Sequence, residues 1–264
     1  MVKETYINKY NDDGVVVIPG VFAKSEIDKI RACSFMALTK LNEIKHRGYR
    51  HNQLETISSG GVEFPSIIFW PSLVENYLNM IRIDIRLNSI AKSILGDNIK
   101  QLNNQIYYRL PGDNDNFAYH QDIMFRYPRY HYPNIVEKNA YLQTSIVCDE
   151  MDENNAPIHY IIGSHKYGDL NLVNLKKQHL ELRESSIDNV PEQVKDLPVR
   201  SYNAKPGDVI IWSALNIHGS SGNKSNRSRI YYMNGFCSSS NSKAWPDYMI
   251  NGEIINNIDA NKIP

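Results

Sequence analysis

The sequence Tyr119-His120-Gln121-Asp122 is the stretch on which the interpretation of this chain depends. In an extended backbone, residues i and i+2 point to the same side, so the His120 imidazole and the Asp122 carboxylate are expected to face one point. Together they would supply two of the three protein ligands of a 2-His-1-carboxylate metal site. Because so short a motif often arises by chance, the prediction requires a second histidine further along the chain.

The composition excludes several classes of protein. Lys plus Arg and Asp plus Glu both number 29, so a chain with no net charge has no long-range attraction for nucleic acid or an anionic membrane. The three cysteines contain no CxxC pair, which predicts reduced thiols rather than a disulfide framework. There is no apolar run of about 18 residues, and the polar N-terminus does not resemble a signal peptide. We therefore expect a cytoplasmic protein with no nucleic-acid or membrane partner, of unknown oligomeric state.

The apolar patterns predict helices first and strands afterwards. Helical spacing covers about 25–45 and 72–95, and the segment 46–62 between them is interpreted as a loop that could form a lid. Short strands separated by Gly, Pro and Asn then predict a β-sandwich or barrel. They cover 99–110, 117–122, 140–148, 158–162, 199–203, 208–212, 215–219 and 229–237, with a weak helical pattern at 175–184. We interpret 1–264 as one domain, with a helical part of about 1–98, a β core of about 99–237 and a tail of 238–264.

A second histidine and an arginine follow near the end of the β region. His218 comes shortly after the apolar run 209–212, so its side chain faces either the core or a cavity. Arg229 opens an apolar strand, where a buried guanidinium requires a carboxylate partner. Taken singly, His218 is more often a structural histidine and Arg229 more often a surface charge.

Four segments in this order resemble the phytanoyl-CoA dioxygenase-like family of Fe(II)/2-oxoglutarate-dependent oxygenases. The resemblance covers most of the chain, and its H-x-D, distal His and Arg eleven positions later are more specific together than any one of them. The segments are DDGVVVIPGVFAKSEIDKIR, YYRLPGDNDNFAYHQD, NNAPIHYIIGSHKYGDL and KPGDVIIWSALNIHGSSGNKSNRSR. The resemblance implies a mainly β protein with flanking α-helices, in which N-terminal helices pack on one face of a double-stranded β-helix (a cupin-like jelly roll).

The resemblance also implies cofactors and residue roles. The cofactors would be Fe(II), the co-substrate 2-oxoglutarate and O2, used to hydroxylate or otherwise oxidise an unactivated C–H bond with release of succinate and CO2. The iron ligands would be His120, Asp122 and His218. Arg229 would pair with the C5 carboxylate of 2-oxoglutarate, with Arg227 as its rival. Lesser co-substrate contacts would come from Ser220, Tyr107 and Gln105.

The substrate is less well defined by the resemblance. Departures at Ser145, at Asn155-Ala156 and at Ile162-Gly163 leave the pocket lining open. Related halogenases carry a small residue at the carboxylate position, so Asp122 predicts hydroxylation rather than halogenation. We expect a small molecule, with a biosynthetic intermediate as the first guess and a carrier- or CoA-linked acyl group as the second. The candidate pocket residues, which closely follow the metal motif, are Arg126, His131 and Phe125.

Two other classes of function remain open at this point. A zinc-dependent, cupin-like hydrolase or isomerase uses the same three ligands, but this function assigns no role to Arg229. A non-catalytic jelly-roll binding module, such as a lectin, would carry H-x-D by accident and would not need an apolar strand that leads to His218.

Overall fold

The computed structural model describes residues 3–47, 52–126, 134–135, 137, 139–172, 189–242 and 244–263. His131 and the weak helical pattern at 175–184 lie outside these residues. The N-terminal part contains α1 (Glu4–Asp13), β1 (Val15–Ile18), α2 (Lys24–His46), β2 (Leu54–Ser59), β3 (Val62–Phe69), α3 (Asn76–Arg82) and α4 (Ile85–Leu95). Within the described residues, no helix is both long and apolar enough to cross a membrane.

In the described residues after α4, the longer regular elements are all strands. It contains β4 (Ile99–Arg109), β5 (Phe117–His120), β6 (Tyr141–Val147), β7 (Ile158–Ile161), β8 (Val199–Ser201), β9 (Val209–Ser213), β10 (His218–Ser220), β11 (Arg229–Ser238), β12 (Asp247–Ile250) and β13 (Glu253–Ile254). Short 3-10 turns lie at Pro71–Leu73, Asp122–Phe125, Ser164–Tyr167, Glu192–Val194, Ser239–Asn241 and Ala260–Lys262.

The strands form two antiparallel sheets. The larger has the order β1-β9-β6-β11-β4-β12-β13, with the β2–β3 hairpin joined to β4 through β3, and the smaller has the order β5-β10-β7-β8. Tyr160 of the small sheet packs with Trp212 and Tyr231 of the large sheet in one buried cluster. This arrangement confirms the predicted mainly β, jelly-roll fold.

Strand alternation separates the two faces of the large sheet. Tyr108 on β4 and Tyr232 on β11 belong to the main apolar cluster with Ile30 of α2 and Leu87 of α4. Successive strand residues point to opposite faces, so Tyr107 and Tyr231 turn away from the helices. Tyr107 and Tyr231 accordingly line a cavity inside the roll. The helices therefore cover one face, as predicted, and leave the other for a site.

The predicted loop at 46–62 is wrong for most of its length. The chain forms the β2–β3 hairpin there, and Gly60 and Gly61 connect the strands with φ angles of 58° and 81°. Two residues with positive φ are typical of a type I′ hairpin turn, whose right-handed twist matches that of the strands. The hairpin pairs Phe69 with Gln105 of β4, so it widens the large sheet instead of forming a mobile lid.

The single helix predicted at 72–95 is two helices. Asp84 is extended, and its side chain accepts a 2.9 Å hydrogen bond from the Arg86 backbone N–H, which starts α4 as an N-cap. The tail also has more structure than its pattern indicated. Its strand β12 pairs with β4, and the buried Tyr248 donates its hydroxyl to the Arg82 carbonyl at 3.0 Å.

An ion pair joins α2 to α4. Arg86 Nη2 lies 2.7 Å from Glu26 Oε1, and Glu26 Oε2 also accepts a 2.8 Å hydrogen bond from the Ala23 N–H at the start of α2. The Arg86 hydrogen bond, followed by that of the Ala23 N–H, lowers the pKa of Glu26 from 4.5 to about 2. A depressed carboxyl pKa adds stability above the unfolded-state pKa, and that stability is lost as the pH falls.

We expect the free energy of unfolding of Glu26→Gln to depend less on pH in the acidic range than that of the wild type. The free energy of unfolding of the wild type should fall between about pH 4.5 and pH 2, and the variant should lose about 1 kcal/mol less over that range, since the pair is partly exposed. Urea denaturation at pH 6 and pH 3 measures the difference. Glu43→Gln, at an exposed position of the same helix, serves as the control and should keep the wild-type slope. If the free energy of unfolding falls equally from pH 6 to pH 3 in Glu26→Gln and in the wild type, the pH dependence does not come from Glu26.

Candidate metal centre and active site

Three ligand-bearing side chains converge inside the roll. His120 and His218 are directly opposite each other on the paired strands β5 and β10, and Asp122 follows at the end of β5. Nε2 of His120 and of His218 lie 3.7 and 3.8 Å from Asp122 Oδ1. One ligand atom from each of the three lies within 4.8 Å of the others, and all three residues are buried. The structure therefore brings together the three residues predicted as metal ligands.

The residue between His120 and Asp122 holds the motif in shape. Gln121 is extended, with φ −112° and ψ 133°, so its neighbours point to the same side as predicted. Its amide donates to the carbonyls of Gly168 and Leu215, both at 2.7 Å, and its oxygen accepts from the Leu170 N–H at 2.9 Å. These contacts fix the backbone from the side opposite to the ligands.

Backbone carbonyls orient both imidazoles. His120 Nδ1 lies 2.9 Å from the Ala118 carbonyl oxygen and His218 Nδ1 lies 3.0 Å from that of Asn216. A carbonyl can only accept, so each Nδ1 carries the proton and each Nε2 presents its lone pair to the centre. Metal-binding histidines are commonly fixed in this way.

The third ligand is oriented by a residue of the large sheet. Trp212 Nε1 on β9 donates a 2.8 Å hydrogen bond to Asp122 Oδ2, which leaves Oδ1 facing the two imidazoles. Sequence analysis did not predict this contact. Its only signal was a tryptophan at the end of a buried strand, where the indole N–H requires an acceptor.

The triad lines a cavity whose wall also contains Arg229. The Arg229 side chain is buried, donates from Nη1 to the Ala156 carbonyl and lies 4.4 Å above the Tyr231 ring. Its Nε has no hydrogen-bond partner among the described residues. A buried guanidinium with an unpaired donor is suited to an anionic ligand.

Two other arginines, Arg227 and Arg109, are paired with carboxylates. Arg227, the rival candidate, lies at the surface in ion pairs with Glu150 and Asp152 and does not line the cavity. Arg109, opposite Arg229 on β4, does line it, but its Nε lies 3.3 Å from the fully buried Asp113 carboxylate.

The remaining predicted residues divide between two spaces. Ser220, Tyr107 and Phe125 line the same cavity as Arg229. Gln105 and Arg126 line an adjacent cavity, which shares Tyr107, Asp122 and Phe125 with the first. Gln105 and Arg229 were both predicted to contact 2-oxoglutarate, but they line different cavities.

The other described histidines of the β core lie outside both cavities. His159 is held by the hydroxyls of Ser201 and Ser221, each at 2.7 Å, and burial lowers its pKa. His165 lies in a 3-10 turn, with Nε2 3.1 Å from the Asn11 carbonyl oxygen. Both contacts fit structural roles.

Comparison with known proteins identifies the family. The profile of the family described as Phytanoyl-CoA dioxygenase (PhyH) matches residues 10–231. An ectoine dioxygenase of Stutzerimonas stutzeri is 22% identical over 237 residues, which cover 86% of this chain and 74% of that protein. An ectoine dioxygenase of Sphingopyxis alaskensis is 26% identical over 149 residues, 53% of this chain and 47% of that protein. The chain thus matches about half the length of the second relative.

Solved structures support the fold. EctD from S. alaskensis, crystallised with 2-oxoglutarate and 5-hydroxyectoine, has a TM-score of 0.70 at 19% identity, covering 91% of this chain and 77% of that chain. The non-haem α-ketoglutarate-dependent carbocyclase SnoK from nogalamycin biosynthesis has a TM-score of 0.68 at 15% identity, covering 95% and 87%. The predicted family is therefore confirmed over the hydrolase, isomerase and binding-module alternatives. This chain belongs to the phytanoyl-CoA dioxygenase family and is an Fe(II)/2-oxoglutarate-dependent dioxygenase.

Proposed function

We propose that this chain hydroxylates a C–H bond of a small molecule, with Fe(II) held by His120, Asp122 and His218 and with release of succinate and CO2. One observation carries the proposal. The three ligand atoms that lie within 4.8 Å of one another open into the same cavity as the buried, incompletely paired Arg229. A metal-dependent hydrolase would need the three ligands and would leave that guanidinium without a task.

The donor set fits a ferrous ion. Two neutral imidazoles and one carboxylate are the protein ligands of non-haem Fe(II) oxygenases, and they leave open positions for the co-substrate and O2. When bound, iron and 2-oxoglutarate supply the oxidation, in which one oxygen atom of O2 enters succinate and the other enters the product. The protein's residues bind, orient and exclude water.

Arg229 is proposed to bind the distal carboxylate of 2-oxoglutarate. Arg229 is the first residue of β11 and lines the same cavity as the triad, and its guanidinium carbon lies 4.4 Å from the Tyr231 ring centroid. Ser220 and Tyr107 add hydroxyl groups to the wall of the same cavity. Burial increases the strength of the ion pair with a bound carboxylate, because little water remains to screen it.

The reaction outcome depends on which substrate atom faces the metal. Relatives of the same fold are named as an ectoine dioxygenase, a carbocyclase and an epimerase, so the fold alone does not fix the outcome. The retained Asp122 supports hydroxylation rather than halogenation. A biosynthetic intermediate in the cytoplasm remains the proposed setting.

Anaerobic addition of Fe(II) and 2-oxoglutarate should produce a weak visible charge-transfer band. The band reports a chelated co-substrate on a ferrous ion, so the Asp122→Ala variant should show neither the band nor uncoupled succinate formation. Absorption spectroscopy of both proteins at equal concentration is the measurement. A colourless wild-type mixture, or retained turnover in the variant, would contradict the ligand assignment.

Arg229→Ala should raise the 2-oxoglutarate concentration needed for half-maximal succinate formation at least tenfold, since a buried charge-assisted contact contributes about 2 kcal/mol or more. Arg227→Ala removes an exposed arginine two residues away and serves as the matched control. The 2-oxoglutarate concentration that Arg227→Ala needs for half-maximal succinate formation should stay within about twofold of the wild-type value. The reverse ranking would reassign the co-substrate anchor to Arg227.

Trp212→Phe should weaken metal binding by about 10- to 100-fold, because the Asp122 carboxylate loses the donor that orients it. Anaerobic titration with Fe(II) measures the dissociation constant. Trp245→Phe is the control, since that ring packs near Arg126 and Trp70 rather than Asp122. Equal metal affinity in Trp212→Phe and the wild type would show that the indole contact is not needed to hold the ion.

A further inference from the structure

A second cavity borders Asp122 and does not contain Arg229. It shares Asp122, Phe125 and Tyr107 with the first cavity, so a molecule in it would lie beside the proposed metal site. One part of its wall is apolar, from Ile67 and Phe69 of the β2–β3 hairpin. The polar part of its wall contains Glu55, Asn103, Gln105, Arg126, Tyr141 and Gln143.

The polar wall is built by three strands in register. Asn103 of β4 and Gln143 of β6 both pair with Gly235 of β11, which lies between them. A Cβ at Gly235 would lie 2.6 Å from Gln143 Oε1 and 2.7 Å from Asn103 Oδ1. Only glycine therefore leaves room for both amides in this row.

Three donors converge on the Tyr141 hydroxyl oxygen. They are Arg126 Nη2 at 2.7 Å, Gln143 Nε2 at 3.0 Å and Asn103 Nδ2 at 3.3 Å. Burial raises the pKa of Tyr141, so the phenol keeps its proton at neutral pH. A phenol oxygen has two lone pairs, which these three donors must share, so the O–H hydrogen remains to donate to another acceptor.

Asn103 adds an acceptor to the same wall. Its Oδ1 is buried and has no hydrogen-bond partner among the described residues, although its Nδ2 is engaged. A buried, unpaired amide oxygen costs about 1–3 kcal/mol, which a ligand N–H or O–H would recover.

Arg126 contributes a positive charge. It is 9% exposed, and its guanidinium carbon lies 5.2 Å from the Tyr141 ring centroid and 5.6 Å from that of Trp245. The aromatic rings hold the guanidinium plane in place, and a guanidinium beside a phenol O–H matches the two oxygens of a carboxylate.

We propose that this second cavity is the substrate subsite and that it selects a small, water-soluble carboxylate carrying an N–H or O–H donor. Arg126 and Tyr141 bind the carboxylate, and Asn103 accepts the donor. This inference rests on the proposed function, because it places the substrate beside the triad. A long acyl chain or a CoA thioester has no carboxylate for Arg126 and would leave the Asn103 Oδ1 acceptor unpaired.

Paramagnetic relaxation tests the subsite without turnover. The protein is loaded with Mn(II) and saturating 2-oxoglutarate, and proton relaxation is measured for N-acetylglycine, its methyl ester and octanoyl-CoA. N-acetylglycine protons should relax faster in the presence of the protein, and the ester and the acyl chain should bind at least tenfold more weakly.

Arg126→Gln and Tyr141→Phe should each weaken N-acetylglycine binding at least tenfold while relaxation of the 2-oxoglutarate protons is unchanged. Arg200→Gln, at the edge strand β8, is the matched control and should behave as the wild type.

The outcomes separate the two proposals. If the 2-oxoglutarate protons themselves are not relaxed in the wild type, the metal and co-substrate site is refuted, and the subsite with it. If they are relaxed but N-acetylglycine is not, or if the ester or octanoyl-CoA binds as well as the acid, the subsite proposal alone is overturned. The subsite proposal is also overturned if folded Arg126→Gln and Tyr141→Phe bind N-acetylglycine with wild-type affinity. Thermal unfolding checks each variant, and Tyr141→Phe carries the test if Arg126→Gln does not fold.

Discussion

The pairing of β5 with β10 is the constraint on which the site depends. It sets His120 opposite His218, and Gln121 then turns Asp122 to the same side. These ligands belong to the small sheet, but the group that orients Asp122 is Trp212 of the large sheet. The packing of the two sheets therefore fixes the carboxylate as well as the core, and a shift between them would move one ligand relative to the other two.

Two arginines line the two cavities that border Asp122. Arg229 lies in one cavity and Arg126 in the other, while Asp122 borders both. The nearby Arg109 is paired with the buried Asp113, so it adds little net charge to the first cavity. An anionic co-substrate and an anionic substrate would each find a separate guanidinium. A cation held by His120, Asp122 and His218 would reduce the repulsion between two such anions.

The strands and the order of the site residues were predictable because both depend on local pattern. Alternation and turn residues locate β4 and β11, and H-x-D requires only an extended Gln121. The hairpin at Gly60-Gly61 was missed although a Gly-Gly pair is a turn signal. The break at Asp84 was missed because apolar spacing continues across it.

The contact between Trp212 and Asp122 joins residues 90 positions apart, which no local pattern encodes. The interval of eleven residues after His218 favoured Arg229 over Arg227, and in the fold the two differ by burial and ion pairing.

The residues proposed for metal binding and those proposed for ligand recognition lie on different parts of this fold. The two histidines belong to the small sheet, whereas Arg229, Asn103 and Gln143 belong to the large one. Substitutions in the row that pairs Asn103, Gly235 and Gln143 would reshape the second cavity without touching a metal ligand. Because the position of the substrate determines which of its atoms reaches the metal, such changes alter the reaction outcome while the oxidant stays the same. This separation is a physical reason why proteins of one fold are named as a dioxygenase, a carbocyclase and an epimerase.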